Sequence, residues 1–311
     1  MGKIAFVFPG QGAQAVGMGK DAYEKHEAAR AIFEQADEVL GYSLTDLILE
    51  GPEEVLKQTA NTQPALLTVS TALLQAVKEK GLKADFVAGH SLGEYSALVA
   101  AESISFQDAV KLVRSRGLFM EEAVPSGQGA MAAVLGAQRE ALDELCKQIT
   151  SEGSSVELAN VNCPGQIVVS GTAAGVQAVA ERGKEAGAKR VISLEVSGPF
   201  HSSLMKPAAD RLSERLAEVE IAAAAIPVVA NVTAKQVTAS EEIRTLLAEQ
   251  VYSPVLWEDS IQYLIEQGVD TFVEIGSGSV LSGLIKKIDK TVRIITLNSL
   301  ETIEALEAIE V

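Results

Sequence analysis

The sequence predicts an α/β protein in which a mainly parallel sheet is wrapped by helices and interrupted by a smaller β-α-β-β-α-β unit. Strand-like and helical segments alternate over most of the 311 residues, the pattern of sheets built from crossover connections. One apolar strand, Phe86 to Gly89, runs directly into Gly89-His90-Ser91-Leu92-Gly93 and a helix start, the strand-turn-helix setting that pushes a Gly-x-Ser-x-Gly serine out at the carboxyl end of a sheet. After a linker-like stretch at 123–129 the pattern changes, and near 197 it changes back.

Taken in order, Ile4 to Phe8 is a buried strand ending in Pro9-Gly10-Gln11-Gly12-Ala13-Gln14. Gly10-x-Gly12-x-x-Ala15 resembles a dinucleotide fingerprint but lacks the immediate helix and the acidic residue closing a second strand. It reads better as a turn whose backbone N–H groups, Gln11's among them, point into a site. Helices follow over 21–40, 52–58 and 63–80. In the helix from Phe106 to Glu122, a 100° step places Phe106, Ala109, Val110, Val113, Gly117 and Met120 on one face, with Arg116 projecting between them. An arginine on a core-facing side wants a carboxylate, and helix geometry alone fits a structural pair and a ligand role equally well.

The inserted unit reads as strand 130–135, helix 139–149, strand 156–161, strand 166–170, helix 173–186 and strand 190–196, a ferredoxin-like order. Strand-helix alternation resumes with 226–230, 241–249, 261–266 and 271–274. Gly276-Ser277-Gly278-Ser279 then precedes a helix, as a plain turn or a phosphate cradle. The expected domains are therefore 1–126 with 197–311, and 127–196.

A 47% hydrophobic content supports a substantial core, and a net charge of −16 argues against a general nucleic-acid or anionic-membrane binder. Cys146 and Cys163 suit a reducing compartment and have no metal-ligand spacing, so neither metal nor cofactor is expected. The first apolar run is too short for a signal peptide, Phe6 stands where a myristoylation signal needs Ser or Thr, and no run of about 18 apolar residues is present. The expected location is the cytoplasm, where the sequon Asn231-Val232-Thr233 has no use.

A serine hydroxyl needs a base. Of the three histidines, His90 adjoins the serine and points away from it, and His26 lies on a charged helix as a solvated surface residue. His201, in a loop before a helix, is the remaining candidate, and nucleophile before base is the chain order of α/β-hydrolase-like enzymes. The Leu92 N–H faces the same space as the Ser91 hydroxyl.

Six stretches in order resemble malonyl-CoA:acyl carrier protein transacylases: Phe8 to Gln14, Gly89 to Glu94, Arg114 to Gly117, Asn162 to Gln166, Phe200-His201, and Gln250 to Trp257. The resemblance covers essentially the whole chain. It implies a ping-pong transfer in which Ser91, deprotonated by His201, takes malonyl from malonyl-CoA and passes it to the phosphopantetheine thiol of acyl carrier protein. It implies an oxyanion hole from the N–H groups of Gln11 and Leu92, a carboxylate on Arg116, and His201 oriented by the main-chain carbonyl of Gln250. Gln63 and Asn162 would line the acyl pocket, and Phe200 would select malonyl over methylmalonyl by crowding the α-methyl. Carrier proteins of this family are acidic, which points to Lys286 and Lys287, or Lys189 and Arg190, as docking residues on a monomer. The rival readings are a serine thioesterase or other hydrolase of the same fold, and a non-catalytic scaffold subunit.

Overall fold

In the computed structural model, which describes residues 2–306, strand β1 (Lys3–Phe8) is buried after its first residue. The helix expected over 21–40 is two helices, α1 (Lys20–Lys25) and α2 (Glu27–Leu40), because His26 is extended between them and caps the second. Its Nδ1 accepts the Ala29 N–H at 3.2 Å, which leaves Nε2–H to donate to Glu79 at 3.1 Å. His26 is thus a half-buried cap rather than a solvated residue. Helix α3 (Leu44–Glu50), absent from the sequence reading, starts on a Ser43 cap, and α4 (Glu53–Leu56) is a single turn.

Helix α5 (Thr59–Glu79) begins four residues before the expected start and is buried on nearly every side, its polar residues Asn61, Thr62 and Gln63 included. Strand β2 (Phe86–Gly89) leads to α6 (Gly93–Ala100), and α7 (Phe106–Glu122) buries the predicted face with Arg116 in it. Gly117 is where α7 crosses α5: a Cβ there would lie 2.7 Å from the Ala60 Cα.

The middle of the chain follows the expected order as β3 (Gly129–Leu135), α8 (Arg139–Ser151), β4 (Val156–Cys163), β5 (Gln166–Thr172), α9 (Ala173–Arg182) and β6 (Arg190–Ser193). Thereafter come α10 (Lys206–Ala217), β7 (Val228–Val229), β8 (Gln236–Val237), α11 (Ser240–Gln250), β9 (Val255–Leu256), α12 (Trp257–Glu266), β10 (Val269–Ile275), α13 (Val280–Ile288), β11 (Arg293–Leu297) and α14 (Leu300–Glu304). The 226–230 strand is only two residues long, and Pro227 before it has no N–H to give a ladder.

Two sheets result, making a mixed α/β fold. The first runs β11-β10-β1-β2-β7-β8 and is parallel except at the β7/β8 hairpin. Along β1, Ile4, Phe6 and Phe8 face a core with α5 and α7, while Ala5 and Val7 face a second core with α12 and α13. Each buried aromatic contributes about 2–3 kcal/mol. The second sheet runs β6-β3-β5-β4-β9; each of its first four strands is antiparallel to its neighbour, and β9 joins β4 in parallel from outside the 127–196 segment. Because β1, β2 and β10 are parallel, the turns after them emerge at one sheet edge, where open α/β sheets bind ligands.

Candidate active site

Ser91 sits after β2 with a positive φ of 51°, a conformation that costs a non-glycine residue about 1–2 kcal/mol. Its surroundings impose it. A Cβ at Gly89 would lie 1.9 Å from the Gly93 carbonyl, and one at Gly93 would lie 2.1 Å from the Phe8 carbonyl oxygen, so only glycine lets the turn close against β1. Asn231 straps the turn from the other side: its Oδ1 accepts the Ser91 N–H at 2.7 Å and its Nδ2–H donates to the Gly89 carbonyl at 2.7 Å. In the sequence Asn231 stands out only as part of an unused sequon.

His201, buried and also at positive φ (58°), brings Nε2 to 2.8 Å from Ser91 Oγ. Its Nδ1 lies 2.8 Å from the Gln250 carbonyl oxygen. A carbonyl only accepts, so Nδ1 carries the proton and Nε2 offers its lone pair to the serine hydroxyl. Glu157 on β4 pins the following turn by accepting from the Ser203 N–H at 3.2 Å and from the Ser203 hydroxyl. Burial first, then the neighbouring Arg116 charge, pushes the imidazole down to about 3, which keeps it in the base form.

Arg116 is only 1% exposed, and its hydrogen-bond acceptors are all neutral. Nη1 donates to Gln63 Oε1 at 2.8 Å, and Nη2 donates to Gln250 Oε1 at 2.8 Å and to Ser91 Oγ at 3.1 Å. Its face lies over the Tyr95 ring at 5.6 Å, and Nε has no partner among the described residues. A buried guanidinium held only by amides and a hydroxyl is poised for an anion. The structural-pair alternative would have shown a carboxylate in contact. Instead Glu94 lies behind the Gln250 amide and is pushed up to about 7 by burial, against the opposing pull of Gln250, the Asn231 N–H and Arg116.

Gln11, Gln63, Ser91, Leu92, Arg116, Phe200 and His201 line one cavity of about 110 Å³, together with Met120, Met131 and Asn160. Among the described residues, the Gln11 and Leu92 N–H groups make no hydrogen bond, leaving both free for an oxyanion. Asn162 is not in this cavity. It accepts from His90 Nε2 at 2.8 Å and lines the adjoining cleft of about 460 Å³, while Asn160, two residues earlier on the same strand, reaches the cavity. Gly198 lets the chain turn so that Phe200 folds back over it: a Cβ there would meet the Phe200 ring at 3.1 Å.

The loop at 276–279 is a buttress rather than a phosphate cradle. The N–H groups of Leu281 and Ser282 at the start of α13 are already taken by the Glu274 carboxylate, at 3.0 and 2.7 Å, and Ser277 donates to the Ala13 carbonyl at 2.6 Å, bracing the turn that carries Gln11. Lys189, Arg190, Lys286 and Lys287 are exposed and lie outside the cavity; Lys287 donates to Gln166, on the cleft wall, at 3.1 Å. Glu94, Asn231 and Asn160 are the residues that sequence reasoning missed. Glu94 offered one signal, a charge in an otherwise apolar helix start.

The acyl transferase domain family matches residues 5–301. The chain is 57% identical over 298 residues to a malonyl CoA-acyl carrier protein transacylase of Bacillus subtilis, covering 96% of this chain and 94% of that protein. It is 50% identical over 299 residues to one of Staphylococcus aureus, covering 96% of each. Among solved structures it is similar to an acyl carrier protein S-malonyltransferase from Vibrio cholerae, with a TM-score of 0.95, 45% identity, and coverage of 98% of this chain and 100% of that one. It is similar also to a chain in a complex of a type II PKS acyl-carrier protein with its malonyl-transacylase, with a TM-score of 0.95, 44% identity and 99% coverage of each.

Proposed function

The chain belongs to the acyl transferase domain family, and from that premise we propose that it moves malonyl from malonyl-CoA to the phosphopantetheine thiol of acyl carrier protein, as an [acyl-carrier-protein] S-malonyltransferase of fatty acid biosynthesis. The observation that carries the reading is Arg116: a buried cation with neutral partners, 3.1 Å from the serine oxygen that would bear the acyl group. A short acyl chain with a free carboxylate fits that geometry, and a plain acetyl group would leave the guanidinium unanswered.

In this reading Ser91 Oγ attacks the thioester carbonyl while His201 Nε2 takes its proton. The tetrahedral oxyanion lies against the Gln11 and Leu92 N–H groups, each such donor lowering the barrier by about 3 kcal/mol. Collapse breaks the C–S bond, and the leaving thiolate takes the proton from His201. The carrier thiol then gives its proton to His201, attacks the malonyl-Ser91 ester and leaves with the acyl group, and the proton returns to Ser91. Throughout, the malonyl carboxylate rests on Arg116 between Gln63 and Gln250, with Phe200 crowding the carbon between the two carbonyls. A pantetheine arm would enter by the 460 Å³ cleft, beside which Lys287 lies.

We read 1–126 with 197–311 as an α/β-hydrolase-like catalytic unit and 127–196 as a ferredoxin-like unit; the β6-β3-β5-β4 order supports the second. Lys286 and Lys287, and more weakly Lys189 and Arg190, would receive the acidic carrier protein, with the enzyme acting as a monomer. No described helix is long and apolar enough to cross a membrane.

Intact mass after brief exposure to malonyl-CoA tests the function. A malonyl adduct on the wild type, absent from Ser91→Ala and discharged onto pantetheinylated carrier protein, is expected. Free malonate without an adduct would point to a hydrolase, and no turnover at all to a scaffold.

A further inference from the structure

Glu94 is a buried acid, 3% exposed, that the chemistry above does not use. Its Oε2 accepts the Gln250 Nε2–H at 2.8 Å and the Asn231 backbone N–H at 3.1 Å. The second hydrogen on Gln250 Nε2 goes to the Ser91 carbonyl at 3.0 Å. A carboxamide has the same shape either way round, so its direction is set by its neighbours. Here one side holds acceptors, Glu94 and the Ser91 carbonyl with Asn231 Oδ1 farther off at 3.5 Å, and the other holds Arg116, which can only donate.

One orientation satisfies every group. The amide nitrogen turns inward, and the oxygen meets Arg116 Nη2 at 2.8 Å. With Gln63 holding Nη1 from the other side, the guanidinium is fixed next to Ser91 without a carboxylate touching it. A carboxylate in direct contact would compete with the substrate's own; one placed behind an amide orients the arginine and leaves it unpaired. We propose that Glu94 is a positioning residue for acyl-group selection, acting through the Gln250 side chain to keep Arg116 aimed at the acyl carboxylate. This role rests on the transacylase reading.

Two acyl donors separate positioning from general support of the turn: malonyl-CoA, which needs Arg116, and p-nitrophenyl acetate, which needs only Ser91, His201 and the oxyanion donors. Relative to wild type, Glu94→Met is expected to lower kcat/KM for malonyl-CoA about tenfold more than for the ester, the scale of one buried hydrogen bond left unmade. Glu94→Gln keeps an acceptor for both N–H groups and is expected to restore the ratio to within about threefold, since the acceptor rather than the charge sets the amide. If Glu94→Met does not fold, Gln250→Met preserves the backbone carbonyl that holds His201 and is expected to give the same malonyl-specific loss. Equal losses on both donors, no loss, or a Gln variant as poor as the Met variant would each overturn the proposal. A wild type that reacts with the ester but forms no malonyl-enzyme overturns the transacylase reading and this role with it. Malonyl-enzyme in the wild type with equal losses in the variants overturns this role alone.

Discussion

The floor of the cavity and the mouth of the cleft stand at the same sheet edge but are built on opposite terms. At the floor, Ser91, Arg116, His201, Gln250, Glu94 and Asn231 share one hydrogen-bonded network in which all but Ser91 are buried, and two of them are held at positive φ. At the mouth, Lys57, Glu195, Leu194, Val280 and Lys287 are exposed; Lys57 pairs with Glu53 at 2.7 Å in solvent, and Lys287 donates to Gln166. A buried group left unpartnered costs far more than a solvated one, so the floor tolerates little change and the mouth much. In the proposed function the difference separates two tasks: chemistry and acyl choice need fixed atoms, whereas handing the acyl group to a partner needs a surface that can be engaged and released.

If that separation holds, losses should be largest where the network is densest. Arg116→Ala removes the cation proposed to answer the substrate carboxylate, and kcat/KM for malonyl-CoA is expected to fall about a hundredfold or more, against a much smaller fall for p-nitrophenyl acetate. Equal losses in acylation kinetics would make Arg116 a structural member of the floor only.

Next comes pH. Because burial and the Arg116 charge push His201 down to about 3, its base form persists through the ordinary histidine range. Acylation by the neutral ester is therefore expected to show no inflection near pH 6.5, and a stopped-flow profile with a midpoint there would contradict the buried, charge-flanked imidazole. The same depression works against stability in acid: as pH falls below 6.5 the unfolded chain takes up a proton that the folded chain refuses until about 3, so the His201 contribution declines over that interval.

Phe200 lies at the boundary between the regions, buried yet lining the cavity. Phe200→Ser is expected to raise methylmalonyl-CoA use relative to malonyl-CoA by about tenfold, the worth of relieving one methyl clash. An unchanged preference in a competition assay would remove crowding as the basis of selection.

The smallest effect belongs to the mouth. Lys286→Glu with Lys287→Glu is expected to raise KM for the carrier protein severalfold, more strongly at low salt, and to leave KM for malonyl-CoA within about twofold. If both constants are unmoved, docking lies on another face.

The sequence by itself determined much of this molecule. Alternating strands and helices announced a parallel sheet, Gly89 and Gly93 announced a tight turn around a serine, and the apolar stripe of α7 put Arg116 inside. These signals were legible because period, glycine placement and residue type are local. Element boundaries within the β-α-β-β-α-β stretch were readable for the same reason, down to a few residues. His26 misled because a cap and a mid-helix residue share a composition, and only the extended backbone between α1 and α2 distinguishes them.

What the chain could not reveal on its own are the contacts that join distant segments. Asn231 reaches the Ser91 turn across 140 residues, Gln250 reaches Arg116 across 134, and Asn160 rather than Asn162 enters the cavity because of how β4 is set against β5 and β9. Whether Arg116 was paired or free was likewise undecidable along one helix. Its state depends on Glu94 being held one amide away, and that spacing exists only once α6, α7 and α11 are packed together, since the position of a buried charge is fixed by its neighbours in space rather than in sequence.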